Sequence, residues 1–298
     1  MVHSAKKIRH YNKRDTMAAW LMLSPFLIFF LLFVVYPIIM NVYYSFTNYN
    51  LNKADWVGLK NYQRLLKDKA FVAAVKNTAV YAFFSVLFLT SLGFLTASAL
   101  NKSIRGIRWI RMLMIFPYAT SMTAVAMIWL MLLDPTTGLI NKTLRMMNLT
   151  GVDWLFNIKT ALPCLIFVNI WKNIGYCMLI YLAGMQSIPG DIYEAATVDG
   201  ASEWQQMIHV TVPMVRPVAF FVFINTMIES FKTFEQVKLM TGGDPLYSTT
   251  TIVHQIYQRG FAEFKMGYAA AMSVVLLAIV LVVTIVNYCF GSSAEQES

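Results

Sequence analysis

Apolar residues occur along this chain in long unbroken stretches, not at the intervals of a one-sided surface helix or strand. A helix needs about 20 mostly apolar residues to cross a bilayer. Six segments reach that length: Met17–Met40, Phe71–Leu100, Trp109–Leu133, Thr160–Met185, Pro217–Met240 and Gly267–Phe290. Lys76 and Asn77 interrupt the second, which puts its first two turns at the interface or inside protein. Pro25 and Pro37 predict a bend or an end in the first. Between the fourth and fifth segments the pattern lapses over 186–215, far longer than a simple connection requires. The expected fold is all-α, one polytopic membrane domain over 1–298 with six transmembrane helices. There is no repeat, low-complexity tract or soluble domain, and Gly291–Ser298 reads as a short polar tail.

Composition supports that class. Of 298 residues, 58% are hydrophobic and 13% charged, about half the charged share of a soluble domain. The net charge of +9 would suit nucleic acid, but the basic residues stand in short blocks beside apolar spans, where they meet a lipid bilayer instead. Met17–Met40 is too long and apolar for a cleaved signal peptide, so it is expected to be a retained first helix. Cys164, Cys177 and Cys289 lie in apolar runs, and His3, His10, His209 and His254 are scattered, so no metal site is expected.

Six spans put both termini on one side. Lysine and arginine divide evenly between the two sides, but Lys6, Lys7, Arg9, Lys13 and Arg14 crowd the N-terminal tail. Lys102, Arg105, Arg108 and Arg111 crowd the next loop on that side. Short dense blocks near the first helices set orientation, which favours cytoplasmic termini and leaves 47–70, 134–159 and 241–266 outside. In the first of these, Trp56, Leu59, Tyr62, Leu65 and Leu66 alternate with Lys60, Arg64, Lys67 and Lys69, as in an interfacial helix that caps the bundle.

Within 186–215, three acids (Asp191, Glu194 and Asp199) and no base fall between Asp191 and Asp199. Ala195 and Ala196 favour helix, and Glu194 near the helix start offers a carboxylate to an arginine or lysine. Gly200 permits a sharp turn or a close backbone approach, while Pro213 and Pro217 stiffen re-entry into the membrane. The run Glu194-Ala195-Ala196, then Gly200, then Val210-Thr211-Val212-Pro213, resembles the EAA loop of bacterial ABC importer permeases, with Val-x-Val-Pro in place of the usual Ile-x-Leu-Pro. Collinear segments add to it: Trp56-Val57-Gly58-Leu59, Phe116-Pro117-Tyr118-Ala119, Ser230-Phe231-Lys232-Thr233-Phe234, Met240-Thr241-Gly242-Gly243-Asp244-Pro245 and Tyr268-Ala269-Ala270-Ala271. They resemble the carbohydrate branch, with maltose, multiple-sugar and glycerol-phosphate importers.

That resemblance implies a type I ABC importer permease fold and a non-enzymatic subunit that moves a sugar across the cell membrane. It implies a second, paralogous permease, two ATPase subunits and an extracytoplasmic solute-binding protein. Glu194, Ala195, Ala196, Asp199, Gly200 and Pro213 would form the ATPase-docking element. No Gly-x-x-x-x-Gly-Lys-Ser/Thr cradle occurs, so ATP and magnesium would belong to partner chains and this chain would bind no cofactor. The alternative is a stand-alone secondary sugar transporter.

A sugar route needs hydrogen-bonding side chains and stacking aromatics on one helical face. Asn169, Asn173 and Tyr176 form such a stripe, as do Thr226, Ser230 and Thr233. Tyr118, with Ser121 and Thr123, is a weaker addition. The competing reading is that such residues merely join helices. Lys172, about 21 Å of helix before Gln186, and Glu229, about 18 Å after Pro217, lie at similar depth. Buried charges usually pair or mark a pathway. The expectation is a Lys172–Glu229 pair beside the cavity, with Lys232 as the rival partner of Glu229.

Overall fold

The computed structural model describes residues 13–102 and 105–295. The basic residues Lys6, Lys7 and Arg9 lie outside it. The chain begins with α1 (Lys13–Phe30), a π-helical turn at Leu31–Val35 and α2 (Tyr36–Ser45). Pro37 explains the turn. It has no N–H to give the carbonyl four residues back, and Tyr36 instead donates to Leu31 O, five residues back. The helix widens but does not end. The same device recurs before Pro213, where Val212 N–H donates to Met207 O. The span Thr16–Ser45 buries none of its most apolar window against the rest of the chain.

A short α3 (Lys60–Leu65) precedes the long α4 (Lys69–Leu100). Leu65 turns inward and Trp56, Leu59 and Leu66 stay exposed. Tyr62 Oη meets Ser45 Oγ at 2.7 Å, and Asn61 donates to the Ser45 and Thr47 carbonyls. This segment caps the bundle. Asp68 N-caps α4 through Ala70 N and Phe71 N. Its other oxygen receives Tyr268 Oη at 2.9 Å and Arg259 at 3.4 Å. Asn77 donates to the Tyr247 and Thr250 carbonyls, so on that side the first turns of α4 pack in protein, while Lys76 is exposed.

The third apolar segment differs from expectation. It is two helices, α5 (Ile107–Ala119) and α6 (Met122–Leu132), bent by 97° at the break. Thr120 and Ser121 are extended there. After α7 (Leu139–Met146) comes α8 (Ala161–Gln186), then α9 (Gly190–Val198), α10 (Glu203–Gln206), a π-helical turn at Met207–Thr211 and α11 (Val212–Phe231). The fifth span is therefore shifted from 217–240. It runs continuously over Glu203–Phe231, because proline at the first turn of α11 is tolerated and the apolar residues after Phe231 fold into the separate α12 (Glu235–Met240). Then follow α13 (Ile252–Tyr257), a third π-helical turn at Gln258–Ala262 and α14 (Met266–Glu295). The expected polar tail is thus helical to Glu295. No strand occurs among the described residues.

α8 is the hub, packed on α4, α5 and α11. Cys177, Met178, Tyr181 and Leu182 of α8 meet Leu89 and Ala97 of α4 and Val215 and Val222 of α11. Without a driving force from water, close backbone approach is what lets helices associate in lipid. A β-carbon at Gly93 would sit 2.8 Å from Cys177 Cβ, and one at Gly184 2.8 Å from Val218 Cγ2. At Gly175 it would collide with the Met114 carbonyl of α5. Gly175→Val is therefore expected to cost about 1–3 kcal/mol through overpacking, whereas Gly190→Val, with open space around it, should cost less. Thermal unfolding in detergent checks this, and equal shifts would refute the α5–α8 account.

Candidate functional site

α4, α5, α8 and α11 enclose a cavity of about 440 Å³, within the usual range of small-molecule sites. Tyr118 enters it from α5, and Asn169, Asn173 and Tyr176 from α8. Thr226, Glu229 and Ser230 of α11 and Thr233 just beyond it complete the set read from sequence. Ser121 and Thr123 do not line it, because the 97° break turns α6 away from α5. Tyr81, Leu89, Cys177 and Asn225 line it as well. Three of these carried a signal. Tyr81, Ser85 and Leu89 repeat every four residues along α4, and Asn225 stands four before Glu229.

The stripes are partly occupied with each other. Asn169 donates to Ser85 Oγ at 3.0 Å, and Asn173 to Asn169 O and Oδ1 at 2.9 Å each. Thr226 and Ser230 donate to their own helix, at Val222 O and Thr226 O. Their hydroxyl lone pairs stay available as acceptors. The Asn225 side-chain amide makes no hydrogen bond among the described residues. Tyr118 and Tyr176 stack with centroids 4.6 Å apart and planes at 17°. The wall thus offers donors, acceptors and aromatic faces together.

The expected Lys172–Glu229 pair does not form. Lys172 Nζ donates to the carbonyls of Tyr118 at 3.0 Å, Thr120 at 2.9 Å and Pro117 at 3.4 Å. These acceptors are concentrated where α5 breaks, and they hold the ammonium on that side of α8. Glu229 Oε1 instead meets Lys232 Nζ at 3.0 Å, one turn on. Both are well exposed, so the pair adds little stability.

The segment 186–215 folds into a tight helical hairpin. Asp191 in the first turn of α9 suits the helix dipole. Gly200 stops the helix at φ +81°, and the Ala201 N–H to Ala196 O and Gly200 N–H to Thr197 O bonds close a Schellman turn. Ser202 and Gln205 form a capping box that starts α10. Gln206 donates to Thr197 Oγ1 and Ala201 O, and Tyr193 Oη meets Thr211 Oγ1 at 2.9 Å. The outer side is bare. Glu194, Ala195, Asp199 and Gly200 are exposed, Ala196 is half-buried, and Val198 and Trp204 are 87% and 65% exposed. Glu194 has no ionic partner among the described residues. Pro213 lies in the first turn of α11 beside the widened turn.

Comparison with known proteins agrees with this architecture. A family model described as binding-protein-dependent transport system inner membrane component matches residues 89–295. The probable ABC transporter permease protein YurN of Bacillus subtilis is 33% identical over 93% of this chain and 97% of its own. The arabinooligosaccharides transport system permease protein AraP of Halalkalibacterium halodurans is 31% identical over 95% and 91%. A chain in the crystal structure of a bacterial alginate ABC transporter, in complex with an alginate pentasaccharide-bound periplasmic protein, superposes with a TM-score of 0.83. It is 28% identical over 92% of this chain and 93% of that one. By that family match and these identities, the chain belongs to the inner-membrane components of binding-protein-dependent ABC transport systems.

Proposed function

We propose that this chain forms part of the membrane route for a sugar, with the cavity between α4, α5, α8 and α11 as its share of that route. The carrying observation is the convergence there of amides, hydroxyls and a stacked tyrosine pair from helices far apart in sequence. Such a wall suits a polyhydroxylated solute, which needs many weak hydrogen bonds and a flat apolar face. AraP and the alginate transporter, by their names, handle saccharides.

The hairpin 186–215 is the docking element for an ATPase in this reading. Its first helix ends in a Schellman turn, its second starts from a capping box, and its outer side is exposed. It is joined to the spans through α8 at one end and α11 at the other. Glu194 is the carboxylate available to a basic partner. The reading includes two ATPase subunits that hold ATP and magnesium, a similar but distinct second permease and an extracytoplasmic binding protein. It places 186–215 and both termini in the cytoplasm, and this chain itself catalyses no reaction.

Uptake in proteoliposomes that contain all these subunits tests the assignment. Glu194→Lys should cut ATP-dependent uptake about tenfold or more through one reversed charge pair, with assembly intact by gel filtration. Uptake that continues without the ATPase would point to a secondary carrier. For the cavity, Tyr176→Ala should lower sugar uptake about tenfold by loss of a stacking face. Unchanged uptake, with the variant normally assembled, would remove Tyr176 from the route.

A further inference from the structure

Two lysines stand near the cavity, Lys172 on α8 and Lys232 just past the end of α11, and both would suit an anionic cargo. Neither lines it. The Lys172 ammonium has three N–H groups, and three carbonyls of the α5 break lie within 3.4 Å of it. Lys232 lies against Glu229. What remains facing the space is one charged side chain, the Glu229 carboxylate, among amides, hydroxyls, phenols, a leucine and a cysteine. Recognition of a carboxylate or phosphate calls for an arginine or lysine that reaches it directly. Here the wall supplies none, and it sets a like charge in the way. A saccharide with neutral hydroxyls finds both donors and acceptors.

We infer that this chain's half of the pathway is built for uncharged saccharides, and that Glu229 acts as a specificity residue against acidic ones. The inference rests on the reading of the cavity as a sugar route. It separates this chain from transporters of acidic glycans such as alginate, an acidic polysaccharide, although the fold is shared. Specificity by an opposed charge works through exclusion, not added affinity. It should therefore show in the ratio of cargoes carried more than in the rate for any one of them.

The test uses the complete importer in proteoliposomes, with neutral malto-, xylo- and arabino-oligosaccharides set against oligogalacturonates of equal length. Binding of the same sugars to the permease–ATPase complex without the binding protein gives a second reading free of upstream selection. Neutral sugars should be bound and carried at least about tenfold better. Glu229→Gln should narrow that ratio by about tenfold. Lys232→Gln, which leaves the carboxylate unpaired, should widen it. Opposite signs separate an electrostatic effect from general damage. Acidic sugars carried as well as neutral ones, or a ratio that neither variant moves, would overturn the inference and leave the sugar route standing. If no saccharide of either charge is bound or carried while another class of solute is, the sugar reading itself falls.

Discussion

A backbone that leaves the helix inside a membrane must have its carbonyls answered by protein, because lipid offers no donor. In this chain the Lys172 ammonium does so, and much of the cavity follows from it. α5 stops at Ala119 and the chain turns by 97° into α6. The carbonyls of Tyr118 and Thr120, with Pro117 farther off, converge on Lys172. Unanswered, each such acceptor would cost several kcal/mol. Gly175 and Tyr176 follow Lys172 by three and four residues and share its face of α8. Gly175 lets the α5 backbone approach at Met114, and Tyr176 stacks on Tyr118. Cap, close approach and aromatic stack are therefore three parts of one contact between α5 and α8.

That contact also sets what the cavity can be. With α6 directed away, α5 presents only its last turn to the space, and Tyr118 is its sole lining residue. α4 and α11 close the remaining sides, drawn against α8 at Gly93 and Gly184. Gly184 lies in the last turn of α8, next to the hairpin, and packs on Val218 of α11. The Tyr193–Thr211 bond ties the hairpin's first helix to the turn just before α11. A displacement of α9 has short, packed routes into both helices that carry the polar stripes. The π-helical turn at Met207–Thr211 is the one irregular point on that route, and its cause is Pro213.

Much of this was legible in the sequence, because the membrane makes it so. Length and apolarity mark spans almost directly, and helical spacing grouped Asn169, Asn173 and Tyr176 and, separately, Thr226, Ser230 and Thr233. The structure brings both groups to one space. The hairpin was legible through Ala195-Ala196, Gly200 and the prolines, each of which acts through local backbone chemistry. The break at Thr120 was not. No glycine marks it, Pro117 lies before it, and the residues after it are as apolar as those before. The break depends on a side chain 52 residues away. The early end of the fifth span at Phe231 was hidden in the same way, since Val237, Leu239 and Met240 of α12 are as apolar as any span.

The charged residues show where sequence arithmetic stops. Lys172 and Glu229 do lie at like depth, but depth is one coordinate of two. Around its helix Lys172 sits about 60° from Asn169, at the edge of the polar stripe, and α5 occupies that edge. There three carbonyl dipoles outcompete a distant carboxylate, because they lie within hydrogen-bonding reach without either ion having to be desolvated into the interior. Glu229 keeps its neighbour one turn on and turns its carboxylate toward the space. The two ions therefore end in different roles. One completes a broken backbone, and the other lines the cavity beside Lys232.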